Sequence, residues 1–154
     1  MKNRQTVSLV HLEMVREREI PYGKADTPKK AIAVLKDIAN DLIGNMDREC
    51  MVVCATDTEL NPVCVQIIGI GTIDTCPASI PEIFKTAILA NANHIIVFHN
   101  HPSGDPTPSR ADTACTQKIQ QAGKILDIKL LDHIIIGSNG AYYSFQGSQN
   151  IHSG

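Results

Sequence analysis

His99, His101, Ser109 and Asp112 fall in one turn-rich stretch, His99-Asn100-His101-Pro102-Ser103-Gly104-Asp105-Pro106-Thr107-Pro108-Ser109-Arg110-Ala111-Asp112, directly after the apolar run Ile95-Ile96-Val97-Phe98. Two histidines two apart on an extended backbone project to the same face. Their imidazoles can converge on one ion at ~2.0–2.1 Å. Pro102-Ser103-Gly104 turns the chain, and Thr107-Pro108 reads as the cap and first position of a helix. Ser109 and Asp112 then share one face of its first turn, so Asp112 can return a carboxylate oxygen as third ligand. Three protein ligands leave the fourth tetrahedral position open, the layout of a catalytic rather than a structural zinc.

Hydrolysis at such a site needs a general base. Glu49 is the candidate, because it directly precedes the apolar run Cys50–Thr56, and a carboxylate entering a buried strand is costly unless it has a partner. Glu59 is the rival, in a polar turn where it is solvated. Each of these residues also has a plainer reading. The histidines can bond backbone in a turn, and Asp112 can simply favour the helix dipole. Ser109 can be an ordinary early-helix serine, and Glu49 can pair with Arg48 or a lysine on the surface. Asp105 makes a turn or supports a ligand histidine through its second nitrogen. His133, in a strand with apolar neighbours, reads as a core or sheet residue outside the site. His11, His94 and His152 have no partners in sequence.

The elements that must position the site follow from periodicity. Residues 6–16, rich in β-branched and apolar types, read as a first strand. Thr27-Pro28 opens a helix in which Ala31, Val34, Leu35, Ile38 and Leu42 recur at helical spacing, and Gly44-Asn45 stops it. Cys50–Thr56 and Val63–Ile70 form a hairpin around Asp57–Asn61. Pro77 to Pro81, with Ser79 as a cap, enters a second helix carrying Ile83, Ala87, Ile88 and Ala90. The strand His94–His99 follows, then the loop to Thr107, then a helix from Pro108 to about Asp127 with Ile119, Ala122 and Ile125 on its buried side. Leu130–Ile136 and Ala141–Phe145 are the last strands, joined by Gly137-Ser138-Asn139-Gly140, and the tail from Gln146 reads as frayed. The order β-α-β-β-α-β-α-β-β predicts an α/β fold, a mixed sheet flanked by helices.

Composition narrows the class. The length of 154 residues suits one domain with a real core. No apolar segment approaches the ~20 residues of a membrane span, no signal-peptide pattern opens the chain, and a cytoplasmic location is expected. The five cysteines lack paired spacing, which favours reduced, buried thiols over a disulfide framework. Residues 1–36 hold eight Lys/Arg against four Asp/Glu; residues 37–154 hold six against twelve. An acidic main body argues against broad contact with a phosphate backbone. A literal reading of His99-Asn100-His101 as an HNH nuclease fails, because that motif is spread over a ββα unit. The H-x-E with P-C-x-x-C deaminase signature and the H-E-x-x-H helix are absent as well.

His-x-His, seven residues, Ser, two residues, Asp, with an upstream Glu, resembles the JAMM (MPN+) metalloprotease motif. The longer run His99 to Ser109, with Arg48-Glu49 and Leu131-Asp132-His133-Ile134-Ile135-Ile136-Gly137, resembles the JAB-domain portion of the bacterial RadC family over about residues 40–145. The resemblance implies a single JAB/MPN-like domain of cytidine-deaminase-like three-layer architecture. It implies Zn²⁺ held by His99, His101 and Asp112, with Glu49 as general acid/base and Ser109 stabilising the oxyanion. It also implies cleavage of peptide or isopeptide bonds. RadC proteins typically carry an N-terminal helix-hairpin-helix region, whereas the residues before 41 hold no Gly-rich hairpin. The chain is therefore expected to be a short form, with an N-terminal strand and helix extension at 1–40, the domain at 41–146 and a tail at 147–154. The alternatives are a DNA-repair-associated accessory protein and a metal-stabilised interaction module without turnover.

Overall fold

The computed structural model describes residues 4–70 and 78–147. The elements run α1 (Pro28–Ile43), β1 (Cys50–Thr56), β2 (Pro62–Ile70), α2 (Ile80–Leu89), β3 (His94–Asn100), α3 (Arg110–Leu126), β4 (Lys129–Ile136) and β5 (Tyr142–Ser144). The strands form one mixed sheet in the order β2-β1-β3-β4-β5. β1 is antiparallel to both β2 and β3, β3 is parallel to β4, and β4 is antiparallel to β5. A parallel pair needs a crossover, and α3 is that crossover between β3 and β4.

Side-chain alternation divides the core into two layers. Met51, Val53 and Ala55 of β1 and Ile95 and Val97 of β3 face Ile83 and Phe84 of α2 and Cys115 and Ile119 of α3. Cys50, Val52 and Cys54, with Ile96 and Phe98, face Leu35, Ile38 and Ile43 of α1 on the other side. Both faces of β1 and β3 are therefore apolar, as expected for strands covered on both sides. Each large side chain buried here, such as Phe98 or Leu35, contributes about 1.5–3 kcal/mol. The result is a helix–sheet–helix sandwich, the expected α/β class.

Several expectations fail, among them the place of Ile88 on the apolar face of α2: it is 52% exposed, and the buried side of that helix carries Ile83, Phe84, Thr86 and Ala87. Residues 6–16 form no strand: Val7, Leu9 and Val15 are 96%, 102% and 81% exposed. β-Branched composition does not make a strand without a ladder partner and a face to bury. Ile125 is 83% exposed. The buried stripe of α3 runs Asp112, Cys115, Thr116, Ile119, Gly123, and at about 100° per residue Ile125 lies roughly 120° away from Ile119. The stripe ends at Gly123 because the chain folds back there; a Cβ at that position would stand 2.4 Å from the Ile128 carbonyl oxygen. Finally, Cys50, Cys54 and Cys64 are free thiols, but Cys115 is disulfide-bonded rather than reduced.

Ser79 caps α2 as expected, while Pro77, Cys76 and His152 lie outside the described residues. Of the expected frayed tail, residues 146 and 147 are helical and the remainder lies outside the described residues. Among the described residues, no helix is long and apolar enough to cross a membrane.

Candidate metal centre

β3 ends where the site begins. His99, like Ile95 and Val97, points to the α3 side, and Val97 pairs with His133 on β4. The ladder continues one residue past β3: the His101 N–H donates to the Ile136 carbonyl at 2.9 Å. His101 thus stays extended and shares the face of His99. The chain then turns tightly. Gly104 has φ +86°, and a Cβ there would also meet Ser138 Oγ at 2.5 Å; both conditions favour glycine.

The start of α3 differs from the expected one by two residues. The N-cap is Ser109, not Thr107, and the helix begins at Arg110. Ser109 Oγ accepts from the Asp112 N–H at 3.0 Å, and Asp112 Oδ2 accepts from the Ser109 N–H at 2.8 Å. This reciprocal cap satisfies two of the helix's unpaired N–H groups and fixes the Asp112 carboxylate. Thr107 instead closes a turn on Asp105 Oδ1 through its N–H at 2.9 Å and its hydroxyl at 2.7 Å.

These elements bring His99, His101 and Asp112 together; among the described residues they are the one group of three His, Cys, Asp or Glu side chains that could hold a metal ion. His99 Nε2 lies 3.0 Å from His101 Nε2 and 3.2 Å from Asp112 Oδ1, and His101 Nε2 lies 3.1 Å from Asp112 Oδ2. Bonds of about 2.0–2.1 Å in a tetrahedron set neighbouring ligand atoms about 3.3 Å apart, so the spacing and the donor set fit a small cation. Burial would raise the Asp112 pKa, but hydrogen bonding to His101, His99 and the Ser109 N–H outweighs it and holds the carboxyl well below the usual range. The same contact with Asp112 raises the His101 pKa against the opposing effect of burial. His101 Nδ1 also meets the Asp105 backbone carbonyl at 2.8 Å, which makes Nε2 its free lone pair. Asp105 supports the ligand through its backbone; its carboxylate belongs to the turn.

Glu49 reaches the edge of this group. Its Oε1 is 3.9 Å from His101 Nε2, and its side chain is 16% exposed. That is too long for a hydrogen bond and short enough to share a water with the cluster. Glu59 stays exposed in the hairpin turn, where its N–H donates to Asp57.

Asn100, between the two histidines, points to the opposite face and holds the segment that carries Glu49. Its Oδ1 accepts from the Cys50 N–H at 2.6 Å, and its Nδ2 donates to the Arg48 carbonyl at 2.9 Å. Asn100→Ala strands both backbone groups, at about 1–3 kcal/mol for each buried group left unpaired. The expected outcome is a fall in melting temperature of roughly 4–24 °C by calorimetry, at about 2–4 °C per kcal/mol. A change of under 2 °C would show that the clamp is dispensable.

The sequence reads His133 as a core or sheet residue outside the site; it is buried on β4 as expected, but it also touches the ligand His99. It is fully buried, with Nε2 2.7 Å from His99 Nδ1 and Nδ1 2.7 Å from Thr116 Oγ1. Its ring stacks on Phe145 at 5.1 Å and 17°. Burial, then the proximity of His99, pushes its pKa down to about 3, so the ring is neutral at pH 7. The available signal was its place in the Leu131–Gly137 block, but its partner is visible only once β4 is laid beside β3.

The family model described as "RadC-like JAB domain" matches residues 26–150, so α1 lies inside the match. The chain is 45% identical over 101 residues to a "UPF0758 protein" of Thermotoga maritima, covering 66% of this chain and 45% of the relative. It is 37% identical over 137 residues to one of Methanococcoides burtonii, covering 87% and 58%, and 44% identical over 107 residues to one of Clostridium beijerinckii, covering 68% and 47%. The chain thus spans about half the length of these relatives, whose names state no reaction.

Proposed function

Because the chain belongs to the RadC-like JAB domain family, we propose that it is a metal-dependent hydrolase of peptide or isopeptide bonds with zinc as its metal. The observation that carries this reading is the convergence of His99, His101 and Asp112 with the Glu49 carboxylate 3.9 Å beyond them. Two imidazoles and a carboxylate suit zinc, and three protein ligands leave room for a reactant. A zinc ion held there would polarise a carbonyl and lower the pKa of a water to about 7.

The chain's own groups do the rest. Glu49, half-buried at the edge of the cluster, takes a proton from the attacking water and delivers it to the leaving amine. Ser109 Oγ uses a lone pair on the Asp112 N–H, which leaves its O–H to donate to the carbonyl oxygen as negative charge develops. One such donor is worth roughly 3 kcal/mol. The partner is a protein or peptide. A polyanion is disfavoured by the six Lys/Arg against twelve Asp/Glu in residues 37–154.

The test is metal content and hydrolysis together. Protein purified without chelator is expected to carry about one zinc per chain and to cleave a lysine-branched isopeptide or its linear counterpart. 1,10-Phenanthroline should abolish cleavage and added Zn²⁺ restore it. A chain that holds no stoichiometric metal and takes up none on titration sinks the reading.

A further inference from the structure

The geometry points to His133 and Thr116 as positioning residues that fix the tautomer of the metal ligand His99. The inference rests on the metal reading above and extends it to groups that touch neither the ion nor a substrate. His99 presents Nε2 to His101 and Asp112 and Nδ1 to His133. To ligate through Nε2, its ring must carry the proton on Nδ1, so Nδ1–H donates to His133 Nε2 at 2.7 Å. His133 then has its own proton on Nδ1 and donates to Thr116 Oγ1 at 2.7 Å. The Thr116 hydroxyl in turn donates to the Asp112 backbone carbonyl at 2.9 Å. His133 and Thr116 each accept one hydrogen bond and donate one, and the direction ends on the residue whose carboxylate is the third ligand.

Reversing the chain has a defined consequence. If Thr116 donated to His133, then His133 would donate to His99 Nδ1, and the His99 proton would move to Nε2, aimed into the cluster where a cation would sit. The Asp112 carbonyl decides between the two directions, because it can only accept. Thr116 follows Asp112 by one helical turn, so α3 sets both the third ligand and the donor sense of the first. The stacking of His133 on Phe145 keeps the ring from turning away. His133 is 0% and Thr116 4% exposed, which leaves water no easy way to substitute. Partners of this kind typically change metal affinity by 10–100-fold.

The experiment measures zinc affinity by chelator competition, alongside the melting temperature of the metal-free protein, for two pairs of variants. Thr116→Val keeps shape and removes the hydroxyl; Thr116→Ser keeps the hydroxyl. His133→Leu removes the acceptor; His133→Gln can return a carbonyl oxygen near the Nε2 position. Zinc affinity is expected to fall about tenfold in Thr116→Val and 10–100-fold in His133→Leu. Thr116→Ser and His133→Gln should each recover most of the loss in their pair. A merely structural role would instead lower the metal-free melting temperature and leave the affinity of the folded fraction unchanged. Wild-type affinity in Thr116→Val and His133→Leu, or losses that the conservative partners do not restore, overturns the inference while leaving the metal reading in place. Wild-type protein that takes up no zinc removes both. The two pairs probe the chain at different links, so failure of one variant to fold leaves the other pair to decide.

Discussion

Glu49→Gln is expected to keep zinc affinity within about twofold of wild type and to lower turnover by roughly 10²–10⁴-fold, the usual contribution of a positioned general base. Glutamine preserves the length and planarity of the side chain and removes its capacity to accept and release a proton. The carboxylate stands 3.9 Å from His101 Nε2 and outside the set of three converging ligand atoms, so metal uptake should survive. The measurement is a paired one: bound zinc by elemental analysis, and initial rates at saturating substrate. Loss of zinc in Glu49→Gln would make Glu49 a ligand instead of a base. Full zinc with full turnover would move the proton-transfer role elsewhere.

His99→Ala is expected to remove stoichiometric metal altogether. Structural zinc sites of four ligands bind with about 10–16 kcal/mol, or roughly 3 kcal/mol per ligand, so deletion of one costs at least about 100-fold. His99 contributes more than one bond. It is fully buried, it lies within 3.2 Å of both other ligands, and it joins them to His133. Dialysis followed by zinc analysis and titration provides the check, with the melting temperature of the metal-free variant to show that the fold persists. A folded His99→Ala chain that retains one tightly bound zinc would mean that the ion sits elsewhere.

Much of this was legible in the sequence, and the illegible parts share a cause. β1 and β3 are runs of apolar residues between polar turns, and the structure gives Cys50–Thr56 and His94–Asn100. The His-x-His spacing could be placed because it depends on local geometry, whereas the cap of α3 fell at Ser109 and not at Thr107, and the approach of Glu49 to His101 depends on the pairing of β1 with β3. Residues 6–16 went wrong because a strand needs a neighbour, and composition does not supply one. Ile125 went wrong because apolar residues three apart drift off a face when the period is 3.6. Asn100 and His133 stayed hidden for a third reason. Their roles depend on which strands are adjacent and in what register, and neither the Cys50–Asn100 contact nor the His99–His133 contact is written in spacing along the chain.

The apolar character of both faces of β3 has a consequence for how the site is kept accurate. A one-residue slip in pairing sends every side chain to the opposite face. Where one face is wet, such a slip is punished at once. Here Ile95, Ile96, Val97 and Phe98 would simply exchange one oily layer for another. The imidazoles would then face α1, and an amide would stand where they belong. What tells the right alignment from its neighbour is the polar end of the strand, where only one placement lets Asn100 satisfy both the Cys50 N–H and the Arg48 carbonyl. The residue between the two histidines acts as an index mark, and the accuracy of the site depends on it more than on the bulk of the core.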